Sequence, residues 1–565
     1  MKVTQEPIPL DQVLGDFNFE IPLYQREYSW ELEQIADLFY DIDDSGKTSG
    51  HFLGSLLLYN KDEGKKTMEI IDGQQRLTTL FLFLYGIKKA ISGSSYTKAI
   101  EAINNLLYQR KKSLLSEDNS EEPRLTTGKR DKRLFKAILK GEEITDHKSD
   151  KFKSHKLLVS ALESFISIKL EKIKESRGIE GVIEFADKVI ASEFIVMTAE
   201  QKSDKILLFK TLNARGLELS QSDLIKNELC NNLKGGITPE DAVDLWDEMR
   251  ESLEKVKANV DTFLFYYINA QLDSVDIRKE IEERRNIKST KDLFPPVPEK
   301  YVFDVYDEKL KTISNTESFL NQLKKAATYY SEFHNPPSNK TYLHSIKTLN
   351  ISKCYPLLLR GKDVLNDKNF ELLCKAIECI SFRHYIIRND PKELERFYYS
   401  ILPKLKSDVD ISIILDEIRQ HPTMKQVDKF KSEFILAAPK ANISKMILTR
   451  IVQHIHESID TKKGDAWLEH IMPQKATKGE WLLLKKSDEE LYNFSINRIG
   501  NLTLLLNKLN QGASNKDFTI KKQEYYQESR LKITTDLLSY ESWNFDSVDK
   551  RQEELYEYVK DIWSF

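Results

Sequence analysis

Apolar residues first come in two short runs, "GSLLLYN" and "TMEIIDG", which read as strands, and then at helical spacing. In "GQQRLTTLFLFLYGIKKAI" the side chains of Leu77, Leu80, Phe81, Leu84, Ile87 and Ile91 fall on one face of a helix, so Asp72 and Gly73 mark a strand-to-helix turn. Charged positions dominate from Arg110 to Asp150, and "KKSLLSEDNSEEPR" is expected as a surface loop. A capped helix is predicted from about Ser220. Proline breaks at "KDLFPPVPEK" and "FHNPPSNK" interrupt a mainly helical middle, in which "KNFELLCKAIECISFRHYII" reads as a buried helix. The pattern predicts a multidomain α+β protein: an α/β domain over 1–235, a helical region over 236–434, and a compact C-terminal domain over 435–565.

Composition narrows the function classes. A chain of 565 residues exceeds one compact core, and 40% hydrophobic with 31% charged residues describes a globular protein. A formal charge of −4 excludes a basic protein that coats DNA, so any polyanion site must be local. Cys230, Cys354, Cys374 and Cys379 form no CxxC pair, which argues against structural zinc and for a reduced, cytoplasmic setting. The start "MKVTQEPIPL" lacks a basic region followed by an apolar run, and no stretch of about 18 apolar residues exists, so neither secretion nor membrane insertion is expected.

In "IIDGQQRLTTL" a helix opens directly after a strand, and its unpaired N–H groups suit an anion. Arg76 can pair with phosphate, Gln74 and Gln75 can bond a base, a sugar or water, and Asp72 can hold Mg²⁺ or orient a water. Taken alone, the same residues also describe an Asp72-capped helix with Arg76 in a surface ion pair. Upstream, "IPLYQREYSW" crowds Tyr24, Gln25, Arg26 and Trp30 together, suited either to packing a sheet edge or to stacking on a base and gripping a phosphate. Downstream, "LFKTLNARGLELSQSDLIKNEL" sets Asn213, Arg215 and Gly216 in a turn. With "HFLGSLLL", these motifs in this order and spacing resemble the N-terminal domain of the GmrSD family of type IV restriction enzymes over roughly the first 230 residues. The resemblance implies a ParB/sulfiredoxin-like fold and a nucleoside triphosphate bound and hydrolysed at Tyr24, Gln25, Arg26, Asp72, Gly73, Gln74, Gln75, Arg76, Asn213 and Arg215.

Near the other end, "LEHIMPQ" sets Glu469 beside His470, and "INRIGNLTLLLNKLNQGASNKDFTIKKQEYY" follows. Hydrolysing a phosphodiester needs a base to deprotonate water and a cation to offset charge on the transition state. His470 can supply the first, while Glu469 and Asn510, both oxygen donors, can hold the second as Mg²⁺ or Mn²⁺. Asn501 suits orienting the imidazole or pinning the loop. Lys508, Lys516, Lys521 and Lys522 suit a DNA backbone, although such a run also describes a solvated helix face.

About residues 465–530, through "HIMPQ", Trp481, "RIGNLTLL" and "NKDFTIKKQEYYQES", the chain resembles the HNH nuclease fold that closes GmrSD-family proteins, two strands and a helix around one metal ion. The resemblance implies His470 as general base, Asn501 as the central asparagine and Asn510 as the last metal ligand. Asn507 and Asn515 remain alternatives to Asn510. Glu469 stands where many HNH enzymes carry aspartate. The zinc-bracing cysteine pairs of many such enzymes are missing, so Leu502, Leu504, Leu505, Leu509 and Phe518 are expected to hold the loop.

Together these readings describe a cytoplasmic phage-defence enzyme, a nucleotide-regulated HNH endonuclease that cleaves foreign, modified double-stranded DNA, as the resemblance implies. One alternative is a nucleotide-gated DNA-binding or regulatory protein that does not cleave. Another is a nuclease that needs a separate recognition subunit; a homo-oligomer is also compatible. Arg383, His384 and Tyr385 are candidates for target recognition, with core packing as the competing account.

Overall fold

The computed structural model describes residues 2–3, 6–23, 25–45, 50–60, 66–110, 121–142, 152–200, 220–271, 297–455 and 466–565. Tyr24, Asn213, Arg215 and residues 111–120 of the expected surface loop lie outside them. The chain divides into two compact units, Met1–Asp244 with Ser314–Thr316, and Leu245–Ile313 with Glu317–Phe565.

The first unit is built on a seven-stranded mixed sheet of β1 (Lys2–Val3), β2 (Ile8–Pro9), β3 (Asn18–Glu20), β4 (Phe52–Tyr59), β5 (Thr67–Asp72), β6 (Leu125–Thr126) and β7 (Glu193–Ala199). The spatial order is β1-β7-β4-β5-β3-β6, with β2 also paired to β7. β4 runs parallel to β7 and antiparallel to β5, which is parallel to β3. Leu56, Leu58 and Ile70 enter the main core, whereas Leu57 and Ile71 pack on the opposite face with Ala199. Burial on both faces explains why Leu56, Leu57 and Leu58 of β4, and Ile70 and Ile71 of β5, read as consecutive apolar residues.

Helix α1 (Gln74–Ile91) follows β5 directly, as the sequence pattern predicts. The predicted face is buried, but so are Leu82, Phe83 and Tyr85, because α1 runs through the middle of the core and packs along α2 (Ser167–Ala191). A helix covered on every side has no polar stripe to betray its inner face. The predicted cap at Ser220 is present: its Oγ accepts from the Asp223 N–H at 3.2 Å and opens α3 (Gln221–Asn231).

In the second unit the predicted buried helix is α4 (Asp367–Ile386). Its Phe382 and Ile386 share one core with Ile447 and Ile451 of α5 (Ala441–His454), and with Leu502, Val559 and Trp563. The rings of Phe382 and Trp563 stack at 3.9 Å. The region expected as a separate helical middle and the C-terminal segment thus bury side chains in common. Arg383 and His384 are buried, Arg383 against the Phe430 ring and His384 on Thr423 Oγ1 at 3.0 Å; Tyr385 alone of the three is exposed.

Two antiparallel strands, β8 (Ala466–His470) and β9 (Leu502–Leu506), pair from Ala466 opposite Leu506 to His470 opposite Leu502. Leu502 and Leu504 face the shared core, whereas Leu505 faces a second cluster with Ile471, Trp481, Phe518, Tyr526 and Trp543. Helix α6 (Asn507–Ala513) leaves β9 at once and packs back on both strands. The short helix α7 (Phe518–Lys521) and the long α8 (Phe545–Ile562) complete the surroundings.

Candidate functional site

At the β5–α1 turn the helix N-cap is Gly73, not Asp72, and no side chain caps it. Gly73 has φ +97°, and a Cβ there would stand 2.8 Å from Leu56 Cδ1, so the tight turn requires glycine. The first helical bond runs from the Leu77 N–H to the Gly73 carbonyl, which leaves the N–H groups of Gln74, Gln75 and Arg76 pointing out of the helix start.

The two glutamines of the motif are buried and bind main chain. Gln75 accepts from the Ser29 N–H at 2.8 Å and donates to the Glu27 carbonyl at 3.1 Å; Gln74 donates to the Arg26 carbonyl at 3.2 Å. Gln25, also buried, returns the grip by donating to the Ile71 carbonyl at 2.9 Å. These amides clamp the 25–29 segment across β5 and the helix start. Arg76 turns back onto β4, donating to the carbonyls of Leu53 and Ser55, with Asp72 at 3.5 Å. Its path crosses Gly54, at φ +85°, where a Cβ would lie 2.6 Å from Nη1.

The groups left for an anion are therefore the helix-start N–H groups and the Arg26 guanidinium, which makes no ion pair among the described residues; the partly exposed Asp72 carboxylate, beside Arg76, suits a cation or a water instead. One further polar atom, Gln74 Oε1, is buried without a partner.

In the C-terminal hairpin Glu469 and His470 are consecutive in β8 and point to opposite faces. Glu469 is turned inward, only 5% exposed, where its Oε1 accepts from Lys521 Nζ at 2.7 Å and from the Tyr526 hydroxyl at 3.3 Å. Burial pushes the Glu469 pKa up and the Lys521 pKa down, against their mutual attraction. The Glu469 carboxylate is thus engaged by Lys521 and Tyr526, and Lys521, fully buried and also donating to the His470 and Ile471 carbonyls, has no exposed surface to present to DNA. Lys522 is half-buried against the Phe518 ring and donates to the Tyr540 carbonyl; Lys516 is held by Glu524 and Tyr525. Of the four expected DNA-binding lysines only Lys508 is exposed with no acidic partner among the described residues.

His470, half-buried, presents Nε2 to Asn497 Oδ1 at 3.4 Å. Burial lowers its pKa, so the ring is neutral at neutral pH and able to take a proton. Asn501 is fully buried: Oδ1 accepts from the Met472 N–H at 2.8 Å and from Trp543 Nε1 at 3.1 Å, while Nδ2 donates to the carbonyls of Met472 and Ile496, each at 3.0 Å. It pins the "HIMPQ" turn to the loop before β9, and it touches no exposed surface.

Asn510 Oδ1 is buried with no hydrogen-bond partner among the described residues. The alternative Asn507 is exposed, and its oxygen accepts from Gln511 Nε2 at 3.1 Å. No group of three or more His, Cys, Asp or Glu side chains converges to hold a metal among the described residues. Of the two expected oxygen ligands, Asn510 Oδ1 is the one without a protein partner, while Glu469 is engaged by Lys521 and Tyr526. Sequence reasoning missed Asn497, Gln474 and Trp543, although Asn497 lies four residues before Asn501.

Residues 10–230 match the family described as GmrSD restriction endonuclease, N-terminal domain, and residues 424–558 match GmrSD restriction endonucleases, C-terminal domain. The chain belongs to the GmrSD restriction endonuclease family. No curated protein matches it. No helix among the described residues is long and apolar enough to cross a membrane.

Proposed function

We propose that this chain is a type IV restriction endonuclease for phage defence, with an HNH-type, metal-dependent nuclease site around His470 and a nucleotide site at the β5–α1 turn. The observation that carries the nuclease reading is His470 itself: a histidine kept neutral by burial, at the end of a two-stranded hairpin backed by α6, with one ring nitrogen free of protein partners among the described residues. His470 takes a proton from the attacking water, and Asn501 keeps the turn that carries it in place. Asn510 would hold a Mg²⁺ or Mn²⁺ ion, which when bound supplies positive charge to the phosphate oxygens. Lys508, the one of the four expected lysines that is exposed without an acidic partner among the described residues, meets the DNA backbone.

The nucleotide reading moves from the glutamines, which serve the fold, to Arg26, Asp72 and the helix-start N–H groups, with the unpartnered Gln74 oxygen beside them. A nucleoside triphosphate bound there regulates cleavage and is hydrolysed, and the DNA substrate is foreign, modified and double-stranded. The deciding experiment digests modified and unmodified phage DNA with the full chain, with and without each nucleotide, in Mg²⁺, Mn²⁺ or a chelator. Cleavage that needs the metal and spares unmodified DNA is expected. Undiminished cleavage by His470→Ala would overturn the nuclease site.

A further inference from the structure

We propose that Asn497 is a positioning residue that holds His470 with its proton on Nε2, so that Nδ1 is the atom that accepts the proton of the attacking water. The inference rests on the reading of His470 as general base and adds which nitrogen acts and what selects it.

Two donors converge on one oxygen. Asn497 Oδ1 lies 3.4 Å from His470 Nε2 and 3.5 Å from Gln474 Nε2. Asn497 turns its carbonyl oxygen, an acceptor without a proton, to both groups, and the amide nitrogen of Gln474, which carries only protons, matches it. An imidazole nitrogen that bonds to that oxygen is the protonated one, and a neutral imidazole has only one ring proton. Nδ1 is left with its lone pair and has no protein partner among the described residues.

The loop that carries Asn497 is fixed on both sides. The preceding Ile496 carbonyl is held by Asn501 Nδ2 at 3.0 Å. The following Arg498 is buried, bound to Asp549 and to the Ile435 carbonyl at 2.7 Å. The same Asn501 that pins the turn after His470 therefore also sets the distance between His470 and Asn497.

In the step itself a water O–H bond breaks and its proton goes to Nδ1. The freed electron pair forms the new bond to phosphorus, and the bond from phosphorus to the leaving oxygen breaks, that oxygen taking its proton from solvent. The imidazolium so formed keeps its Nε2 proton on the Asn497 oxygen, whose dipole favours the added charge. Both contacts are long, so the expected effect is modest, about three- to tenfold in kcat.

The test uses the full chain labelled with ¹⁵N in its ten histidines, the His470 signals being those absent from His470→Ala. Wild type should show a protonated Nε2 and a bare Nδ1. Asn497→Ala should mix the two tautomers and lower kcat about three- to tenfold with unchanged DNA affinity, whereas Asn497→Asp, which keeps an acceptor oxygen, should retain the tautomer and most of the rate. Asn497 is exposed, so loss of its side chain should not unfold the chain, and Asn497→Thr stands as a second truncation. A proton on Nδ1 in wild type, or the wild-type tautomer and kcat in both truncations, would refute the inference. Cleavage by His470→Ala would instead refute the general base, whatever the tautomer.

Discussion

At the scale of single residues, side chains of the same chemical type have separated into those that hold the fold and those that face outward. Gln75 bonds two main-chain groups of the 27–29 segment, so Gln75→Ala should destabilise the first unit by about 1–3 kcal/mol, read from urea unfolding. Arg26→Ala should leave that stability unchanged and weaken nucleotide binding by about 1.5–3 kcal/mol, more than tenfold, in calorimetry. Equal nucleotide affinity in wild type and Arg26→Ala would remove the phosphate role from Arg26. The lysines divide in the same way. Lys521→Met would strand the buried Glu469 carboxylate and should cost about 3–5 kcal/mol, whereas Lys508→Ala should preserve the melting temperature. If Lys508 pairs with a phosphate, its loss should also flatten the salt dependence of DNA binding by about one unit of log–log slope.

At the scale of elements, the hairpin β8–β9 with α6 carries the proposed chemistry. His470→Ala should reduce cleavage by about 10²- to 10⁴-fold without changing the far-ultraviolet circular dichroism. Burial depresses the His470 pKa, so the neutral, proton-accepting ring persists to lower pH than in a free histidine. The rate should consequently stay level as pH falls to about 6.5, the ordinary imidazole value, and decline only below it. A decline starting well above that value would contradict the assignment of the acid limb to His470. Asn510→Ala should resemble metal depletion, with activity partly restored by excess Mn²⁺; if Asn515→Ala behaves this way in its place, the ligand is Asn515.

At the scale of the whole molecule, a nucleotide site and a nuclease site in one chain make sense as a switch only if nucleotide binds the active and resting states with different affinity. Wild-type cleavage should change when nucleotide is added, and Arg26→Ala should cleave at a rate indifferent to it. A wild-type rate unmoved by every nucleotide would refute the switch and leave the pocket standing. Arg26 is the better probe than Arg76, because Arg76 braces β4 and its loss would confound signalling with folding.

What the sequence determined by itself was local. The runs that became β4 and β5, the turn at Gly73, the start of α3 at Ser220 and the buried α4 depend on periodicity and capping over a few residues, and all were legible. So was one signal left unused: in a strand, consecutive residues face opposite ways, and Glu469 turns inward to Lys521 while His470 turns to the other face. Only the tertiary structure decided which polar side chains remain available. Whether Gln75 meets a ligand or the 27–29 backbone, and whether Lys521 meets DNA or Glu469, depends on segments more than forty residues apart being brought together. A buried backbone amide or carboxylate takes whatever partner the fold places beside it, since leaving it unpaired costs more than the bond returns. That choice is made by packing, and the residue type alone does not carry it.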